Sequence, residues 1–205
     1  MTREHEVRWQ SLLPQEVMKL FEQVDFPWWI AGGYAIDHFV GRPVRTHDNI
    51  NVLVMRKDLQ QIRESLTGWD CRAVDRSGFL IPWSEGEALT DTTRVVWCRE
   101  QQESPWQLQL MLDEGNSDNW YSRRCEAVTK PVGELGVFDN SGIPFLVPEV
   151  QLFYKSKSPR EKDEMDFDAA LPLMDAPQRA WLSDAIIAAY GKTNKWLAHM
   201  TLLFI

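Results

Sequence analysis

Four apolar residues, Trp28–Ala31, run into Gly32-Gly33, and the stretch Tyr34–Val40 that follows carries a helical pattern until Gly41. A strand that ends on two glycines at a helix start leaves few folds open. The chain must turn sharply from sheet to helix, and the backbone N–H groups at that start can approach an anion. By itself such a pair also fits a plain turn, so the flanking pattern has to decide. Ile50–Met55 alternates and is rich in β-branched side chains, which predicts a second strand, and Lys57–Leu66 predicts a helix with Leu59, Ile62 and Leu66 on one side. Upstream, Pro14 opens a helix in which Val17, Leu20, Phe21 and Val24 recur at helical spacing.

From Trp69 the pattern changes to short strands over Cys71–Val74, Phe79–Trp83, Arg94–Cys98 and Trp106–Leu112, enough to complete a mixed or antiparallel sheet. From Pro148 onward the apolar spacing is helical again, through Phe153, Phe167 and Ile186. Asp139–Gly142 is a turn sequence. The expected class is α+β, with an α/β domain over residues 1–146 and a C-terminal helical region over residues 147–205.

The 205 residues are 44% hydrophobic, enough to bury a real core, and this excludes disorder as the default state. Thirty acidic against 22 basic side chains give a formal charge of −8, which argues against a nucleic-acid partner and fits a cationic small molecule better. Cys71, Cys98 and Cys125 are too few and too scattered for a disulfide framework or a structural zinc site, so a cytoplasmic setting is expected. The opening MTREHEVRWQ lacks the apolar centre of a signal peptide. The closing WLAHMTLLFI is about half the length of a membrane helix, so no membrane partner is expected and the segment is read as a docking helix or frayed tail. Ten Trp side chains supply core volume and potential walls for a ligand.

The order Gly32-Gly33-Tyr34-Ala35-Ile36-Asp37, then Gly41-Arg42, then Arg45, His47 and Asn49-Ile50-Asn51 resembles the aminoglycoside 2″-adenylyltransferase-like family of the nucleotidyltransferase superfamily. The likeness continues through WQLQLMLD at Trp106–Asp113, WYSRR at Trp120–Arg124, GIPFLVPEVQL at Gly142–Leu152 and KSKSPREKDEMDF at Lys155–Phe167. The resemblance implies the polymerase-β-like nucleotidyltransferase fold, a mixed β-sheet flanked by helices. It also implies transfer of a nucleoside monophosphate, AMP from ATP or another nucleoside triphosphate, to a hydroxyl of an aminoglycoside-like antibiotic.

In that family two aspartates separated by one apolar residue on a strand face the cleft together and bind magnesium. Their positions here are Asn49 and Asn51. An amide keeps the shape of the acid and one carbonyl oxygen but not the charge that holds a hard cation, so magnesium should bind weakly and transfer should be lost while folding survives. Asp48 cannot substitute, because a one-residue slip would reverse the faces of the strand. Two matched amides fit a naturally silent relative or a deliberate replacement. The third carboxylate of the family, a metal ligand or proton acceptor, is assigned to Asp113, with Gln109 on the same strand face as the alternative; in that case all three acids are missing.

By the same resemblance Gly32, Gly33, Arg42, Arg45, His47, Lys155 and Lys162 are expected to hold the nucleotide, and Glu114, Trp120 and Tyr121 the cationic acceptor. Two other functions are weighed: a non-catalytic nucleotide- or small-molecule-binding protein, and an unrelated transferase using His47 with Asp113 or Glu114 as acid and base.

Overall fold

The computed structural model describes residues 8–202, so most of the opening MTREHEVRWQ and the last three residues of the closing WLAHMTLLFI lie outside the described residues. Helix α1 (Pro14–Leu20) leads to β1 (Trp28–Ala31), the double-glycine turn, α2 (Gly33–Val40) and β2 (Asn51–Met55). A single 3₁₀ turn over Arg56–Asp58 then feeds α3 (Leu59–Ser65), so the helix expected over Lys57–Leu66 starts two residues later than its apolar spacing suggested. Strands β3 (Asp70–Val74), β4 (Leu80–Pro82), β5 (Val95–Arg99) and β6 (Leu108–Gly115) follow. Four further strands complete the sheet: β7 (Asn119–Ser122), β8 (Cys125–Pro131), β9 (Gly136–Phe138) and β10 (Pro144–Leu146). Helices α4 (Pro148–Lys155), α5 (Glu161–Ala170), α6 (Ala176–Tyr190) and α7 (Lys195–Leu202) close the chain.

The sheet runs β4-β3-β5-β6-β2-β1-β10-β9, with the β7–β8 hairpin continuing from the far end of β6. It is mixed. β2 lies antiparallel to β1 and parallel to β6, with Asn51 opposite Gln109 and Met55 opposite Asp113. Alternation then sorts the side chains by face. Trp28, Ile30, Val52, Val54, Leu108, Leu110 and Leu112 pack with Val17 of α1, with Phe21 just after it and with Ile62 of α3. Trp29, Ala31, Leu53 and Met55 pack instead with α2, α4, α5 and α6. The central strands are therefore covered on both sides, which is why they read as nearly unbroken apolar runs.

The C-terminal segment docks. Trp196 of α7 is fully buried, stacks on Phe167 with ring centroids 4.1 Å apart, and donates its indole N–H to Glu164 at 2.9 Å. Among the described residues no helix is long and apolar enough to cross a membrane.

Candidate functional site

At the turn after β1, Gly32 has φ +73°, a conformation open to glycine, and a Cβ there would lie 2.5 Å from Asn51 Nδ2. A Cβ on Gly33 would strike the His47 ring and the Arg45 guanidinium. The two glycines are thus needed because three polar side chains press against the backbone. The Gly32 N–H donates to the buried Gln151 Oε1 at 2.6 Å, so one of the turn's donors serves the fold.

Asp37 of α2 fixes the loop that brings those side chains in. One of its oxygens accepts from the Val44 N–H at 2.9 Å and the other lies 2.6 Å from His47 Nε2. Because the Arg45 guanidinium can only donate, its 3.1 Å contact with His47 Nδ1 makes that nitrogen the acceptor and leaves the ring proton on Nε2, facing Asp37. His47 therefore braces the loop while one edge lines the cleft.

The centre of the site is a cluster of three amides. Asn49 Nδ2 donates to Gln109 Oε1 at 3.0 Å, and Gln109 Nε2 donates to Asn51 Oδ1 at 2.5 Å. The Trp97 indole N–H also donates to Gln109 Oε1, at 3.0 Å. Since an indole N–H is a donor only, it sets which way the Gln109 amide points. The carbonyl oxygens of Asn51 and Gln109, which could have faced a cation, are thereby occupied by N–H groups. Magnesium takes oxygen ligands, and in a nucleotide site one or two protein carboxylates hold it beside waters and substrate phosphates. These residues do not fit it, and among the described residues no three His, Cys, Asp or Glu side chains are grouped to hold a metal ion.

Around the amides lies a cleft of about 410 Å³ whose walls include Gly32, Gly33, Arg45, Lys155, Arg160 and Lys162. Its cations are braced from behind. Arg45 makes a two-pronged ion pair with Asp166, both contacts 2.9 Å, and Lys155 bridges Asp163 at 2.8 Å and Asp166 at 2.9 Å. Arg160 adds a 2.8 Å contact to Asp163. Burial by itself would raise the Asp163 carboxyl, but the hydrogen bonds from Arg160 and Lys155 and the charge of Lys155 outweigh it and hold the group well below the usual carboxylate range. Asp48, 82% exposed and 3.7 Å from Lys162, is the carboxylate on the cleft wall. Trp9 and Trp97, in edge contact at 4.8 Å, form an aromatic corner of the cleft.

The structure therefore gathers Gly32, Gly33, Arg45, His47, Asn49, Asn51, Lys155 and Lys162 at one cleft. Other expected site residues lie elsewhere. Arg42 is exposed and turns its guanidinium to the Pro43 carbonyl. Asp113 shares a strand face with Gln109 but sits four residues further along β6, about 13 Å at the rise of an extended strand. There it is buried, accepting from the Tyr154 hydroxyl, the Trp120 indole at 3.0 Å and Arg123 Nε at 3.2 Å. Burial and then the Asp113 charge raise Tyr154 well above its ordinary value, so it remains a protonated donor.

Gln109, the alternative weighed for the third position, is the residue facing Asn49 and Asn51. His47 lines this cleft whereas Asp113 borders a different concavity, so the structure does not bring them together as an acid–base pair. Of the acceptor candidates, Trp120 is fully buried, while Glu114 and Tyr121 border a separate concavity with Arg123 and Glu126. Sequence reasoning missed Trp9 and Trp97 at the cleft, and Asp163 and Asp166 behind it. The last two stood in the Lys-rich segment without any periodic signal that they turn inward.

A sequence model of the aminoglycoside-2''-adenylyltransferase family matches residues 14–170. A 2''-aminoglycoside nucleotidyltransferase of Escherichia coli is 33% identical over 97 residues, which cover 46% of this chain and 53% of that protein. The chain thus matches about half the length of this curated relative. In fold, the chain is similar to the solution structure of the antibiotic-resistance factor ANT(2'')-Ia, with TM-score 0.55 and 18% identity over 90% of this chain and 95% of that one. It is also similar to a lincomycin-bound lincosamide antibiotic adenylyltransferase, LnuA, with TM-score 0.53 and 17% identity over 78% of this chain and 95% of that one.

Proposed function

The chain belongs to the aminoglycoside-2''-adenylyltransferase family, and from that premise we propose that it binds a nucleoside triphosphate in the amide-lined cleft without transferring the nucleotidyl group at an enzymatic rate. Its relatives are nucleotidyltransferases acting on antibiotics, and an aminoglycoside-like cation is the acceptor class this fold would present to the nucleotide. The phosphates are assigned to Lys155, Lys162, Arg45 and the backbone at Gly33, and the base to the side of the cleft bordered by Trp9 and Trp97.

The observation that carries this proposal is the set of hydrogen bonds that joins Asn49, Asn51 and Gln109 into one neutral amide cluster. Nucleotidyl transfer to a hydroxyl needs a group that accepts the hydroxyl proton as the oxygen attacks phosphorus. A neutral amide is too weak a base for that, and loss of a positioned base alone costs about 10²–10⁴-fold in rate. The amides also lack the charge that would hold a divalent cation. What remains is recognition.

Incubation with ATP labelled at the α-phosphate, magnesium and a panel of aminoglycosides and lincosamides is expected to leave the antibiotics unlabelled, while equilibrium dialysis detects bound ATP. Labelled antibiotic formed at an ordinary turnover rate would refute the proposal.

A further inference from the structure

We infer that the cleft is built for a nucleotide free of magnesium, so that magnesium weakens binding instead of enabling it. This deepens the nucleotide-binding function proposed above and rests on it. The fold's metal position does not fit a metal: Asn51 Oδ1 and Gln109 Oε1 each receive amide N–H donors, and Trp97 adds a further donor to Gln109. An amide cluster is neutral and offers N–H as well as C=O, so it can meet a bare phosphate oxygen that a carboxylate cluster would repel without a bridging cation.

The rest of the wall agrees with this. Asp163 and Asp166 have side chains 3% and 0% exposed and lie behind the cations they hold, whereas the Lys162 side chain is 38% exposed and that of Arg160 is 67% exposed. An incoming ligand therefore meets cationic heads and amides, with Asp48 as the carboxylate on the wall. Magnesium bound to ATP removes two of its negative charges and orders water around the phosphates. Nothing at the amide cluster recovers those losses.

Calorimetric titration of the whole chain with ATP, in EDTA and then in excess magnesium, tests this directly. Binding in EDTA is expected to be on the order of tenfold tighter than in magnesium. In the variant carrying Asn49→Asp, Asn51→Asp and Gln109→Glu the order should reverse, with magnesium restoring affinity lost in EDTA, and circular dichroism should show that the variant is folded. Inorganic triphosphate in EDTA is the companion probe. Weaker binding than ATP assigns part of the affinity to the nucleoside, and equal binding assigns it to the phosphates alone; either supports metal-free recognition. ATP binding that requires magnesium overturns this inference while the nucleotide-binding function stands. Absence of ATP binding in both conditions overturns that function, and the inference falls with it.

Discussion

Gly33 shows how narrowly a single residue constrains this site. A methyl group there would overlap the His47 ring and the Arg45 guanidinium, both held in place by Asp37 and Asp166, so neither can simply swing aside. Gly33→Ala is expected to cost about 1–3 kcal/mol in urea unfolding, in the range of overpacked sites, and to weaken ATP binding because Arg45 must move. Unchanged stability with unchanged affinity would show that the loop yields, and that its packing does not set the site. Gln109 raises a different issue. Alternation put it and Asp113 on one face of β6, and that is as far as a single strand can be read. Which of them meets Asn49 and Asn51 depends on the parallel register of β6 against β2, a tertiary fact with no mark in the local sequence.

Among the elements, β1, the glycine turn, α2 and β2 were legible because their apolar periods are strong and the glycines punctuate them. The β7–β8 hairpin and the short β9 and β10 were not. β8 has one half-wet face with only Val128 fully inside, and β9 and β10 have three residues each, too few to show a period. The acceptor candidates failed to converge for a related reason. WYSRR reads as polar and aromatic, yet Trp120 turns into the core to meet Asp113.

Helix α5 gives the clearest test at this scale, because Asp163 and Asp166 tie it to α4 and to the loop before β2. The folded state holds the Asp163 carboxyl below its unfolded value, so it binds fewer protons there than the unfolded chain does. Its stabilisation is complete above the ordinary carboxylate range, starts to fall as the pH enters that range, and is lost only as the pH falls through the lower value of the folded state. Asp163→Asn should therefore be less stable than the parent at pH 7, with the gap narrowing toward pH ~3. A gap of constant size across that interval would mean that the charge of Asp163 contributes nothing.

For the whole molecule, a sheet buried on both faces makes the fold largely independent of the chemistry at its rim. The amides sit at the entry ends of β2 and β6, outside both apolar clusters. Restoring acids there should preserve the fold. Three adjacent carboxylates without a cation repel one another, so the variant carrying Asn49→Asp, Asn51→Asp and Gln109→Glu is expected to melt lower than the parent in chelator and to recover with magnesium and ATP. Reverting only the first two should leave transfer low, since Gln109 would still stand where a proton acceptor is needed. The most direct test compares transfer of labelled AMP from ATP to an aminoglycoside by the chain as it stands and by the three-acid variant, side by side. Trace labelling by the first and magnesium-dependent labelling by the second is the predicted result; rapid labelling by the chain as it stands would contradict it.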